Sequence, residues 1–223
     1  PGFLANLPID DADRRLLAAL ALRVRFLTLR QIVRAPWCAL LSEAHARRRA
    51  ARLESLGLVR RARVMSHPVI PLNAPLTTWT PGGARPDFGA IGYTAGARWT
   101  QGHRVEQIVC ATERTADAAG GHPGRPPKAS EATHDVHLAA IYLRFRETRP
   151  EAAETWRPES HILAGRRRVY ARRRRRIVEK LPDAFIVEGG RKTFVEFAGA
   201  YTRDRVRAFH LYCEEKRIGY ELW

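Results

Sequence analysis

Ser42–Arg61, SEAHARRRAARLESLGLVRR, decides how the first half of the chain folds. Ser42 offers a side-chain oxygen to the open amides of a helix start, and Gly57 supplies the left-handed residue that ends one. Between them the run from Glu43 to Leu56 consists of helix formers, with Ala46, Ala50, Leu53 and Leu56 on one face. Arg47, Arg48, Arg49 and Arg52 lie around the other. After Gly57 the pattern becomes that of a strand, Leu58-Val59-Arg60-Arg61-Ala62-Arg63-Val64. With Leu76–Thr80 beyond a proline-bearing stretch, it predicts a two-stranded hairpin with a long tip.

Upstream, DADRRLLAALALR (11–23) puts Leu16, Leu17, Leu20 and Ala21 on one stripe behind an acidic start, which reads as a first helix. A short second helix, Thr28 to Arg34, ends at Ala35-Pro36. Three helices followed by a basic hairpin is the order of a winged helix-turn-helix. The string RRRAARLESLGLVRR (47–61) resembles the end of the recognition helix and the first wing strand of winged-helix transcription regulators. That resemblance implies that Arg47, Arg48, Arg49 and Arg52 enter a major groove while Arg60, Arg61 and Arg63 grip the adjacent backbone.

Composition agrees with an anionic partner. The 223 residues carry 39 Lys and Arg against 23 Asp and Glu, a net charge of +16. The excess is split evenly between residues 1–120 and 121–223, so neither half is an acidic adaptor. Nucleic acid, specifically double-stranded DNA, is favoured over a membrane, because no basic amphipathic helix with bulky aromatics stands at either terminus. No apolar run approaches the length of a membrane span, and acids and arginines interrupt Pro1–Ala21 before a signal-peptide core can form. A cytoplasmic location is the default expectation. Cys38, Cys110 and Cys213 are too few and too scattered for a disulfide framework or a zinc ribbon.

Ala118–Ala129 (AAGGHPGRPPKA) concentrates Gly and Pro, which predicts a domain boundary. The expected division is a DNA-binding domain over residues 1–115, a linker over 116–129 and a second domain over 130–223. That second domain opens with a helix, Ser130–Arg149, whose Val136, Ala139, Ala140, Leu143 and Phe145 make an apolar face. Glu154–Glu159 reads as a strand or its approach. Ala184–Glu188, a Gly189-Gly190 turn and Thr193–Phe197 read as a hairpin with a type I′ or II′ connection. A helix over Thr202–Lys216 and a strand over Tyr220–Trp223 complete an α/β unit, so the whole chain is α+β.

The hairpin places Pro182-Asp183 before its first strand and Glu196 near the end of its second. Six residues separate each carboxylate from the turn, so the two face each other across the ladder. This spacing resembles the PD-(D/E)xK nuclease superfamily, the restriction-endonuclease-like fold. The resemblance implies Asp183 and Glu196 as catalytic carboxylates and ligands of Mg²⁺ or Mn²⁺, with Glu159 as an additional acid. The lysine expected two residues after the second acid is Ala198 here. The resemblance therefore points to a degenerate nuclease, with Lys192 or Lys180 as the substitutes available in sequence. The alternative is an active Mg²⁺-dependent endonuclease or resolvase using Asp183 and Glu196.

Over most of the chain, the order of winged helix, linker, His134-Asp135, Trp156 with Glu159, Pro182-Asp183, Val195-Glu196 and Tyr201 resembles the replication-relaxation family of bacterial mobile-element proteins. That resemblance implies DNA binding in plasmid or mobile-element replication, transfer or transcriptional regulation, alongside other replication or transfer proteins, and is compatible with a homodimer. His134 and His137 read as a helix-start cap and a buried hydrogen-bond partner rather than as metal ligands. Eight arginines lie between Arg166 and Arg176. Among them Arg166, Arg167, Arg168, Arg172, Arg173 and Arg174 are expected in a loop that orders on DNA, with Tyr170 available to stack on a base. No Walker loop or nucleophile elbow is present.

Overall fold

The computed structural model describes residues 7–38, 42–163 and 181–223. In chain order the elements are α1 (Asp11–Leu22), β1 (Leu27–Thr28), α2 (Leu29–Arg34), α3 (Glu43–Ser55), β2 (Val59–Ser66), β3 (Thr77–Trp79), α4 (Phe88–Ala97) and β4 (Arg104–Ala111). There follow α5 (Glu113–Ala119), α6 (Ala129–Thr148), α7 (Pro150–Thr155), β5 (Arg157–Pro158), β6 (Ala184–Glu188), β7 (Arg191–Glu196), α8 (Arg203–Lys216) and β8 (Gly219–Leu222). The chain is thus mixed α and β, and no helix among the described residues is long and apolar enough to cross a membrane. It divides into two compact units, Pro1–Val69 with Gln101–Thr148 and Ile70–Thr100 with Arg149–Trp223.

In the first unit the helix starts are set by side chains. Asp10 and Asp13 cap α1 reciprocally, as Thr28 and Gln31 cap α2. Ser42 accepts the His45 amide at the start of α3. Leu16, Leu17 and Leu20 of α1 are buried with Ala46, Ala50 and Leu53 of α3. β4 is the middle strand of a three-stranded antiparallel sheet ordered β1-β4-β2. On one face of that sheet Phe26, Ile108 and Cys110 pack with Val136 of α6, and Ala62 and Val64 close the cluster.

Two expectations are corrected here. The strand after Gly57 does not pair with Leu76–Thr80. It runs antiparallel to β4 over eight residue pairs, from Val59 opposite Ala111 to Ser66 opposite Arg104. Thr77–Trp79 pairs instead with Leu222–Tyr220 in the second unit. Loop-closure entropy grows only slowly with loop length, so the long excursion between β2 and β4 is offset by a ladder that buries Ile108, Val109 and Cys110 completely.

The second correction concerns residues 116–129, which are not a linker between units. α5 ends in this stretch, α6 begins in it and belongs to the first unit, and the glycines between them serve close packing. A Cβ on Gly121 would stand 2.2 Å from the Ala21 carbonyl oxygen, and one on Gly124 would stand 2.4 Å from that of Arg25. The His122 amide donates to Ala21 and the Gly124 amide to Ala111, so this stretch is bonded to the end of α1 and to β4. Glycine here permits backbone contact rather than flexibility.

The second unit is a five-stranded sheet ordered β3-β8-β7-β6-β5, in which β7 and β8 are parallel and the other pairs antiparallel. Glu154 and Thr155, expected in or near a strand, form the last turn of α7, and only Arg157–Pro158 joins the sheet. Trp79, Phe194, Tyr201, Val206, Phe209 and Tyr220 share one core with Phe88 and Ile91 of α4. Trp79 stacks on Tyr220 with centroids 5.7 Å apart, which fixes β3 on the edge of the sheet. The three cysteines are buried and none is in a disulfide.

Candidate nucleic-acid interface and the carboxylate pair

The arginines of α3 divide by what they touch. Arg49 reaches Asp13 at 2.9 Å, pairs with Asp10, and donates to the Cys38 sulfur at 3.4 Å. Arg52 pairs with Asp13 and donates to the Pro8 carbonyl at 2.6 Å. The Asp13 side chain is fully buried. Burial works against the charge of Arg49, but Asp13, Cys38 and Asp10 outweigh it and raise its pKa above the ordinary value. These two arginines join α3 to α1. Their assignment as nucleic-acid contacts does not fit those positions, because an acid on the preceding helix already takes each charge.

Arg61 is also committed. Its side chain donates to Glu54 at 2.7 Å and its amide donates to the same carboxylate at 2.9 Å. These bonds, the side-chain one first, hold the Glu54 carboxyl below the usual carboxylate range. Arg48, Arg60 and Arg63 are exposed and make no ion pair or hydrogen bond among the described residues. Arg47 is exposed and holds only a long bond, 3.4 Å, to Gln107.

Strand pleating sorts the hairpin arginines further. Arg61 stands opposite Val109 and Arg63 opposite Gln107, whereas Arg60 stands opposite Cys110. Arg61, Arg63 and Gln107 therefore share one face and Arg60 lies on the other. The Arg47–Gln107 and Glu54–Arg61 bonds place α3 beside the first of these faces. Arg47, Arg48 and Arg63 thus make one exposed basic surface, and Arg60 does not join it. Arg166, Arg167, Arg168, Arg172, Arg173 and Arg174 lie outside the described residues, as do Tyr170 and Lys180.

The second candidate site is the hairpin of β6 and β7. Gly189 and Gly190 both have positive φ, 55° and 76°, as a type I′ turn requires. The ladder runs from Glu188 opposite Arg191 to Ala184 opposite Val195, and one further step sets Asp183 against Glu196. The Asp183 amide donates to Glu196 Oε2 at 3.1 Å, and the Phe197 amide donates to Asp183 Oδ2 at 2.8 Å. Glu196 Oε1 accepts the hydroxyl of Tyr201. Glu196 is 1% exposed and Tyr201 7%. Burial first, then the charge of Glu196 and its hydrogen bond, push the Tyr201 phenol well above its ordinary pKa, against the opposing effect of Arg205.

The repulsion expected between facing carboxylates is therefore met by two amides and a phenol. Lys192 does not serve. Its ammonium sits 4.0 Å over the Phe185 ring, and four residues of strand at about 3.3 Å each separate it from Glu196. Ala198, at the position of the expected lysine, is fully buried in the core with Phe194 and Phe209. Glu159 reaches Asp183 through its main chain, the Glu159 amide donating to the Asp183 carbonyl at 2.8 Å, while its own side chain is exposed.

A hard divalent cation needs several convergent oxygens. Among the described residues no group of three or more His, Cys, Asp or Glu side chains is placed to hold a metal. Both oxygens of Glu196 already accept hydrogen bonds. The pair as placed does not fit Mg²⁺ or Mn²⁺. His137 is fully buried, with Nδ1 2.7 Å from the Thr133 carbonyl, and His134 contacts Asp135 at 3.2 Å.

Sequence reasoning missed Asp13, which reads as one more acid of a helix start. The signal was its place within the apolar period of α1, three residues before Leu16 and four before Leu17. It also missed Arg149, which pairs with Glu188 and with the buried Glu221, each at 2.5 Å. Compared with protein-family models, curated proteins and solved structures, the chain matches none.

Proposed function

We propose that the chain is a DNA-binding protein of a bacterial plasmid or mobile element, acting in replication, transfer or transcriptional regulation. In this reading the first unit is a winged helix-turn-helix. α3 enters the major groove with Arg47 and Arg48, and the β2–β4 hairpin brings Arg63 to the adjacent phosphates. The second unit is a PD-(D/E)xK-like domain that binds without cutting, since Ala198 leaves no ammonium at the usual place to orient water.

The observation that carries the reading is the sorting of arginines. The chain neutralises Arg49, Arg52 and Arg61 internally, and the exposed Arg47, Arg48 and Arg63 share one side of the unit. Guanidinium groups held together without acids are suited to phosphate and to guanine edges.

The test is duplex binding against salt concentration. The log–log slope for the unmodified chain should be negative, about −0.9 per phosphate neutralised. Arg63→Ala should reduce the slope by about one unit on every sequence, whereas Arg48→Ala should also flatten discrimination among sequences. Affinity independent of salt, or a Arg48→Ala and Arg63→Ala pair binding like the unmodified chain, would overturn the proposal.

A further inference from the structure

Asp183, Glu196 and Tyr201 are joined by three hydrogen bonds that leave neither oxygen of Glu196 open. The Asp183 amide takes Oε2 and the Tyr201 hydroxyl takes Oε1, while the Phe197 amide binds the carboxylate of Asp183. We infer that Tyr201 closes this acid pair against divalent cations, so that a phenol–carboxylate clasp occupies the place where a metal-dependent nuclease would hold its ion. This rests on the proposed reading of the second unit and deepens it.

The chemistry follows from burial and donor count. A carboxylate that is 1% exposed is tolerated only if its oxygens are hydrogen-bonded or neutralised. A cation would supply that neutralisation, and here a protonated phenol and an amide supply it instead. The phenol is suited to the task because burial and the neighbouring acids favour its neutral, proton-bearing form, which can only donate toward Glu196.

Its place in the fold is equally specific. Tyr201 immediately precedes Thr202, the N-cap of α8, whose side chain accepts the Arg205 amide. Arg205 in turn lies 4.1 Å over the Tyr201 ring. The ring is thereby held at both the hydroxyl and the face, and the segment from β7 into α8 is fastened to the start of the hairpin. A cation at Glu196 would have to displace the hydroxyl and disturb this junction.

The test is Mn²⁺ binding by electron paramagnetic resonance, with the full chain in three forms. The unmodified protein should show no saturable Mn²⁺ site, and its Tm should be unchanged by Mn²⁺ to within about 1 °C. Tyr201→Phe frees Oε1, and Tyr201→Ala also opens space beside it. At least one of them should gain a saturable site, with affinity about tenfold or more above the parent, that is lost again when Asp183→Asn is added. A saturable Mn²⁺ site in the unmodified protein that Asp183→Asn removes would overturn the inference. So would folded Tyr201→Phe and Tyr201→Ala variants that both fail to gain one. Should neither variant fold, the Tm response of the unmodified protein decides. Salt-dependent duplex binding measured in EDTA tests the DNA-binding reading separately, since that result does not depend on a cation.

Discussion

Arg49→Met separates the structural arginines of α3 from the exposed ones. Methionine preserves much of the length of the side chain but removes the guanidinium that reaches Asp13 at 2.9 Å and Asp10 beyond it. Asp13 is left fully buried with the Asp10 amide and Arg52, whose side chain is 45% exposed. Deleting one partner of a buried ion pair costs about 3–5 kcal/mol, because the other charge stays desolvated. Arg52 still offsets part of that charge, which brings the expected loss to about 2–3 kcal/mol. For a chain of this length each kcal/mol lowers the Tm by about 2–4 °C, so a fall of about 4–12 °C is expected. Urea unfolding and thermal melting measure it, with duplex affinity recorded on the same samples below the transition. Arg48→Ala is the contrast, because an exposed side chain without partners should leave stability within about 0.5 kcal/mol while affinity falls. If Arg49→Met melts like the parent and loses duplex affinity as Arg48→Ala does, the division of the arginines is wrong.

Two further outcomes follow from the same structure. Gly121→Ala sets a methyl group 2.2 Å from the Ala21 carbonyl oxygen and 2.8 Å from its carbon, both backbone atoms. A loss of about 1–3 kcal/mol should appear in urea unfolding, and an unaltered midpoint would mean that residues 120–124 do not lie against α1. Glu188 is held below the usual carboxylate range, first by its hydrogen bond from Arg149 and then by that residue's charge, with burial opposing. A carboxyl whose folded pKa is depressed adds stability above its unfolded pKa of about 4.3, and that stability is lost as pH falls toward the folded value. Glu188→Gln should therefore shallow the decline of Tm on acidification below about pH 5, and an acid limb as steep as the parent's would count against the pair.

The local elements were legible because their signals are carried by adjacent residues. Asp10, Ser42 and Thr202 cap helices where the sequence placed them, and Gly57 ends α3. Gly189 and Gly190 set the type I′ turn, and the turn sets the register that brings Asp183 opposite Glu196. A two-residue turn leaves the strands one way to pair, so the placement of the carboxylates could be counted out from it.

Pairings between distant segments were decided only by tertiary structure. Nothing within Val59–Val64 says that its partner is Arg104–Ala111 rather than the nearer Thr77–Trp79, because any apolar strand with a free edge can pair and a longer loop adds little entropic cost. The glycines of residues 120–124 read as a linker in sequence, since the carbonyls of Ala21 and Arg25 that they approach are far away along the chain. Charge shows the same division. The sequence by itself determined that the molecule is strongly basic and that arginines cluster on α3 and β2. Which of them stay available depended on where Asp10, Asp13 and Glu54 come to rest, and on the pleat that turns Arg60 away from Arg63. The availability of a charge depends on the acids within a few ångströms of it, and folding brings those acids from other elements.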